Sequence, residues 1–284
     1  MKDKVFNLVS SLIAFYIPVQ IAYLTGSETV IKAVVLGFIV QWVCFIPAYL
    51  LQTEKFYDLT GSLTYLTLIL FAVFSSSSLD NTDLIVCGCI SVWAIRLGGF
   101  LFLRIKKDGE DKRFRSIKPN LTRFFMTWTL QGMWVTMCLL CVTTALSSES
   151  GVKEGVGFYL GLIIFIIGFT TEVVADNQKT KFRKNPKNKN MFISSGLWAK
   201  TRHPNYLGEL LLWIGVTVMS IESLQGLQYI TLVSPLFVYV LLMYISGVRI
   251  LEASGHKKWG NRPEYKEYLN NTPQFFITFK SLIK

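Results

Sequence analysis

The chain has 284 residues, of which 51% are hydrophobic, with a mean hydropathy of +0.42 and a formal net charge of +11. A soluble globular domain of this length would be more polar, and the basic segments contain no recognisable nucleic-acid-binding module, so nucleic acid is excluded as a partner. Apolar runs of about 18 or more residues recur, long enough to cross a hydrocarbon core of about 30 Å.

Those runs predict membrane-spanning helices over residues 5–25, 30–51, 60–79, 83–104, 122–146, 155–175, 205–221 and 226–249. The pattern is all-α, a polytopic transmembrane bundle in one integral-membrane domain. The seventh run is short and contains Gly215, which leaves seven crossings plus a re-entrant segment as an alternative to eight. Lys2 and Lys4 precede the first run, but Tyr16-Ile17-Pro18 offers no small-residue cleavage site, so the run is expected to be a span and not a signal peptide.

The second span ends in a polar stretch, Gln52 to Ser62, that holds Glu54, Tyr57 and Asp58. A phenol or carboxylic acid at a lipid-facing entrance can hydrogen-bond a substrate carbonyl or deliver a proton. A capped helix end is the plainer alternative. Ser75 to Ser78 is expected to close the third span. Basic residues cluster in the 104–123 and 176–204 loops, and in a tail with Lys257, Lys258, Arg262, Lys266, Lys280 and Lys284. With eight spans these segments share one side, which the positive-inside rule makes cytosolic. Contact with anionic lipid accounts for much of this charge. The cysteines all lie in predicted spans and are expected to be free buried thiols. His203 and His256 are the only histidines, too few for a multi-histidine centre, and no metal is expected.

Gly151, Gly155, Gly157, Gly161 and Gly168 open the sixth span and suit close helix packing. A glycine-rich phosphate loop would need a preceding strand. The span ends with Glu172 and Asp176, one turn apart on one face. Acids there are interfacial or functional, and they oppose the helix dipole. The stretch from Ser195 to Glu209 then runs from a basic loop into an apolar helix, with Pro204 suited to its first turn. Free amides, the positive dipole end and Arg202 together make an anion site. In the tail, Arg262-Pro263 predicts a short helix with Tyr265 and Tyr268 on one face. That helix is either interfacial packing or a lid over a cofactor built from His256, Trp259, Arg262 and Tyr265.

Gly196-Leu197-Trp198, the run from Arg202 to Glu209, and the Glu252…Tyr265-Lys-Glu-Tyr268…Pro273 tail resemble the steroid 5-alpha-reductase superfamily. The stretches 52–62 and 109–114 are similar to those of its poorly characterised branch, and the likeness covers nearly the whole chain. It implies a reductase using NADPH on a carbon–carbon double bond conjugated to a carbonyl, or on a sterol double bond. Substrate would enter from the lipid toward residues 1–150, with the cofactor on the cytosolic side of residues 151–284. By the same likeness, Asp176, Asn205 and Glu209 fall on cofactor-side positions, Glu172 and Asn190 near others, and Arg202 and His203 beside the phosphates. Lys179, Arg183, Tyr206, His256, Arg262 and Tyr265 complete that set. Arg113, Arg183 and Arg202 are the candidates for a 2′-phosphate.

Steroid-reducing members pair a glutamate with a tyrosine at the substrate carbonyl. Here Glu54 or Thr53 stands for the glutamate, Phe100 stands where the tyrosine is sought, and Tyr57 is the nearest phenol. Isoprenylcysteine carboxyl methyltransferases share the Arg-His-Pro…Gly-Glu stretch and bind S-adenosylmethionine. Methyl transfer to a lipidic carboxylate is therefore a second expectation, and a non-enzymatic membrane protein derived from such enzymes a third. The 52–62 and 109–114 stretches, the extra N-terminal spans and the Asp176-Asn177-Gln178-Lys179 run favour the reductase. The expected location is the endoplasmic reticulum membrane in a eukaryote or the inner membrane in a bacterium.

Overall fold

The computed structural model describes residues 2–76 and 78–278; Met1, Ser77 and 279–284, with Lys280 and Lys284, lie outside the described residues. Among the described residues, eight helices are long and apolar enough to cross a membrane, and they fall on the eight predicted runs. This is the architecture of a multi-pass integral membrane protein. No strand occurs among the described residues. The chain divides into two compact units.

The first unit is the chain up to Tyr159 together with Thr217–Ser234. It contains α1 (Lys2–Leu24), α2 (Glu28–Leu50), α3 (Tyr57–Ser75), α4 (Asn81–Asp108) and α5 (Leu121–Leu146). The core helix is α5, which packs on α1, α2 and α3, while α4 packs on α3. Every residue of α5 from Val135 to Leu146 is buried. Such all-round burial at membrane depth needs satisfied polar groups and small surfaces. Threonines supply both. Thr136, Thr143 and Thr144 donate to the carbonyls of Gly132, Leu139 and Leu140 at 2.7–2.9 Å, one turn back along the same helix. Toward the Glu54 end, Phe45, Phe124 and Trp128 pack with Phe114 in an aromatic cluster. The five cysteines are free thiols.

The second unit is Leu160–Val216 with Pro235 onward. It holds most of α6 (Val156–Lys184) and α7 (Pro204–Ser220), with α8 (Val233–Val240), α9 (Val248–Trp259) and α10 (Pro263–Asn271). Helices α6 and α7 run antiparallel along a glycine seam. A Cβ on Gly208 would lie 2.6 Å from the Glu172 nitrogen, and one on Gly215 2.5 Å from the Phe165 nitrogen. Gly161 and Gly168 contribute the facing carbonyls. The packing role expected for those two glycines thus lies against α7. Gly155 and Gly157 instead face the Glu222 carboxylate, which accepts from the Gly157 amide at 2.8 Å in the first unit.

Three helices outrun their predicted edges, α4 to Asp108, α6 to Lys184 and α9 to Trp259. Hydropathy ends where charge begins, but Lys and Arg stabilise a helix C-terminus, so all three helices continue into basic sequence. Glu172 and Asp176 therefore stand inside α6, whose last turn carries Lys181, Arg183 and Lys184. The eighth crossing is broken where the sequence predicts one run: a 3-10 segment at Gly226–Leu232, then α8, then a π turn at Leu241–Ile245, then α9. Ser246 donates to the Leu241 carbonyl at 2.9 Å across the wide turn. Apolar composition alone does not register such a turn.

Candidate functional site

In the second unit the polar motifs gather at one end of the α6–α7 seam. Pro204 opens α7 as expected, and its missing amide is no loss at a first turn. Just before it, the 3-10 turn Gly196–Ala199 docks on α6. Trp198 Nε1 donates to the Ala175 carbonyl at 3.1 Å, and the Leu197 amide donates to Gln178 Oε1 at 3.0 Å. Gly196 has φ +63°, and a Cβ there would meet the Gln178 amide at 2.6 Å. Lys179 lies 4.4 Å above the Trp198 ring. Glu172, Asp176 and Glu209 are all buried. Extending the seam by one turn from the Gly208–Glu172 contact sets Asp176 level with Asn205.

Glu252 on α9 is the hub. It accepts from Arg202 Nη1 at 2.9 Å and from His203 Nε2 at 2.8 Å. A carboxylate only accepts, so Nε2 carries the proton of a neutral imidazole and Nδ1 is a bare acceptor. Burial lowers the His203 pKa, against the opposing pull of Glu252, so the ring is neutral near pH 7. Three buried polar atoms here have no partner: Arg202 Nε, His203 Nδ1 and Asn205 Oδ1. The Tyr206 ring stacks on His203 at 5.9 Å. Gly247, just past the π turn, lies against the Tyr206 ring, and a Cβ there would approach it to 3.0 Å.

The tail closes over this end. The Arg202 amide donates to the Pro273 carbonyl at 3.0 Å, and Thr201 Oγ1 to the Phe275 carbonyl at 2.7 Å. Tyr268 donates to the Trp198 carbonyl at 2.7 Å. Phe192 packs on Trp259, Tyr265 and Tyr268 at centroid distances of 5.0–5.9 Å. Burial raises the phenol pKa values of Tyr265 and Tyr268, so both stay protonated. Asn190 has φ +67°, and its carbonyl accepts from Trp259 Nε1 at 2.7 Å. Arg183, His256 and Arg262 are exposed. The His256 ring lies 5.9 Å from Tyr265.

The structure thus brings together Glu172, Asp176, Lys179, Arg202, His203, Asn205, Tyr206 and Glu209, and adds Glu252, Trp198 and Phe192. Glu252 opens the tail stretch that carries the family likeness, which is its sequence signal; Glu264 and Glu267 share that tail. Trp198 belongs to the Gly196-Leu197-Trp198 motif, but its role as a dock on α6 is shown only by packing, and Phe192 is found only by packing.

In the first unit, Glu54 is buried. Its Oε1 accepts from the Asp111 amide at 2.9 Å, and its Oε2 pairs with Lys118. It therefore staples the loop after α4. Tyr57 donates to the Thr127 carbonyl at 3.0 Å, and its ring meets Phe114 and Trp128 edge-on. Arg113 is engaged by Asp111, whose Oδ1 also accepts the Arg113 amide at 2.9 Å and caps the 3-10 turn Lys112–Ser116. Burial works against ionisation at Asp111, but its Arg113 hydrogen bonds outweigh it and lower the pKa. Phe100 lies beside the Arg96 guanidinium, 5.3 Å from its ring centroid. Asp111→Ala is expected to cost about 1 kcal/mol, the usual worth of such a cap, and to speed tryptic cleavage at Arg113 and Arg115 in detergent. Unchanged cleavage would mean that Glu54 alone holds the loop.

Residues 44–272 match the sequence profile of a family described as "Protein of unknown function (DUF1295)". A relative from Ustilaginoidea virens, "Probable O-methyltransferase ustE", is 29% identical over 172 residues, covering 55% of this chain and 60% of that protein. No solved structure matches the chain.

Proposed function

The chain belongs to the DUF1295 family, and from that premise we propose that it is a membrane-embedded enzyme with a nucleotide-type cofactor at the polar end of the α6–α7 seam. The proposed reaction is reduction of a carbon–carbon double bond conjugated to a carbonyl in a lipidic substrate that enters from the bilayer, with NADPH as cofactor.

The observation that carries this is the trio of unpartnered atoms at the start of α7, one donor (Arg202 Nε) and two acceptors (His203 Nδ1 and Asn205 Oδ1). Buried polar atoms are costly unless paired. A donor beside a helix N-terminus suits an anionic phosphate oxygen, and two adjacent acceptors suit hydroxyls. That is the chemistry of a ribose phosphate. Arg202 would hold the anionic oxygen, with Glu252 fixing its guanidinium. Neutral His203 and Asn205 would accept from ribose hydroxyls, and the aromatic tail would exclude water. Bound there, NADPH supplies the hydride. By the family likeness, Tyr57 with its phenol and Glu54 with its carboxyl are the proposed partners of the substrate oxygen. Using Tyr57 requires it to leave Thr127, and using Glu54 requires it to leave Lys118.

The named relative favours a second reading, methyl transfer from S-adenosylmethionine to an oxygen of a lipidic substrate. That cofactor brings ribose hydroxyls for His203 and Asn205 but no phosphate for Arg202. Titration of NADPH, NADH and S-adenosylmethionine into the detergent-purified protein separates the readings. NADPH is expected to bind and to weaken about tenfold or more in Asn205→Ala, the loss of roughly one buried hydrogen bond. Binding of S-adenosylmethionine alone would select the methyltransferase, and binding of neither would leave a non-enzymatic membrane protein.

A further inference from the structure

A second set of unsatisfied polar atoms lies deep in the first unit. Gln41 on α2 is fully buried, and its Nε2 donates to Thr64 Oγ1 on α3 at 2.9 Å. Thr64 spends its own proton on the Thr60 carbonyl at 2.7 Å, so it can only accept from Gln41. That fixes the amide orientation and leaves Gln41 Oε1 as an acceptor without a partner. On α5, Gln131 Oε1 is a second such acceptor and Trp128 Nε1 an unpartnered buried donor. The positions adjoin. A Cβ on Gly132 would lie 3.5 Å from Gln41 Cγ, and one on Gly61 would lie 2.7 Å from Gln131 Nε2. Trp128 is one turn from Gln131, on the side of Tyr57.

At 1.5 Å per residue, these groups lie about 10–15 Å inside their helices from the end that carries Glu54, near the middle of a hydrocarbon core about 30 Å thick. Two amide side chains at that depth are expensive, and intramembrane polar groups as a rule mark a ligand or ion path. Two acceptors and one donor do not suit a cation, which would leave the indole N–H unmet, nor an anion, which both amide oxygens would repel. They suit a neutral hydroxyl, whose single proton the two amide oxygens share in a three-centre bond while its oxygen accepts from Trp128.

We propose that α2, α3 and α5 form a mid-membrane subsite for the hydroxyl of an apolar, bilayer-borne molecule, with Gln41, Gln131 and Trp128 as its hydrogen-bonding partners. That this molecule is the enzyme's substrate rests on the function proposed above; the subsite itself does not.

The test is photolabelling of the full-length purified protein, without cofactor, by a long-chain fatty alcohol carrying a diazirine near its hydroxyl. The same chain as a methyl ether can accept from Trp128 but cannot donate. Labelling of α2, α3 and α5 peptides by the alcohol, about tenfold weaker for the ether, is expected. Gln41→Leu should lower alcohol labelling about tenfold, with a melting temperature unchanged or raised, because Thr64 stays satisfied through Thr60. Gln131→Leu, at a half-buried position, provides the same readout should Gln41→Leu fail to fold. Equal labelling by alcohol and ether, or full labelling in both leucine variants, would overturn the proposal and assign the acceptors to buried water. Because no cofactor is present, neither result depends on the titration of NADPH and S-adenosylmethionine.

Discussion

Replacing Glu252 by glutamine is expected to destabilise the protein by about 3 kcal/mol, the usual effect of removing one partner from a largely buried ion pair. For a chain of this size that is a fall in melting temperature of about 10 °C. Arg202 and Glu252 are only 14% and 15% exposed at their side chains, so water does not replace the lost carboxylate. The shape of the side chain is kept, which isolates the charge. The cause is the stranded guanidinium, so the double variant Glu252→Gln with Arg202→Met should recover part of the loss. That coupling is the signature of a direct pair. Additive effects in the cycle would show that Arg202 and Glu252 act independently.

The same site gives a pH dependence with a definite sign. The His203 pKa lies below its ordinary 6.5, chiefly through burial. As pH falls through that ordinary value, the unfolded chain takes up a proton that the folded protein resists, so the folded state loses stability on acidification. His203→Gln should flatten that part of the melting profile. In Glu252→Gln the ring loses the negative charge that supported its own, and the acid-sensitive range extends to lower pH.

How much of this is legible in the sequence depends on what each feature is made of. The eight crossings are written in apolar run length, and Pro204 and Pro263 announce their helices because proline at a first turn has one local meaning. Arg202, His203 and Asn205 adjoin in sequence and are found together. Glu252 lies 50 positions from Arg202, beyond a π turn that no local pattern encodes, so its partners are visible only once α9 is placed. Gln41 and Gln131 escape a reading of the sequence because a single amide inside an apolar run barely alters hydropathy. Their meaning arises from Thr64, Gly61 and Gly132 on facing helices. Glu54 and Tyr57 stand out by residue type, yet sequence does not show that Lys118 and Thr127 already engage them.

Gly208→Ala is expected to be about as damaging as loss of Glu252, although it adds one methyl group. A Cβ at Gly208 would sit 2.6 Å from the Glu172 nitrogen and 2.7 Å from the Gly168 carbonyl oxygen. Both are backbone atoms and cannot rotate away, so α6 and α7 must move apart. Within a bilayer no hydrophobic force draws the helices back, because lipid is as apolar as the side chains, and close packing is what holds the seam. Overpacking of this kind costs about 1–3 kcal/mol, occasionally more, and the upper end is expected where only backbone yields. Gly88→Ala is the control: nothing lies within 4 Å of its Cβ position, and alanine in an open helical position should be worth about 1 kcal/mol of stability. The separation also shifts Asp176 relative to Asn205, so cofactor affinity should fall more than tenfold in Gly208→Ala and not at all in Gly88→Ala. A Gly208→Ala protein that melts like wild type would mean the helices are loosely packed. One that melts early but binds cofactor normally would detach the seam from the site. Loss of both together is the expected result, because the glycines that let α6 and α7 touch also set the buried carboxylates of one helix against the polar first turn of the other.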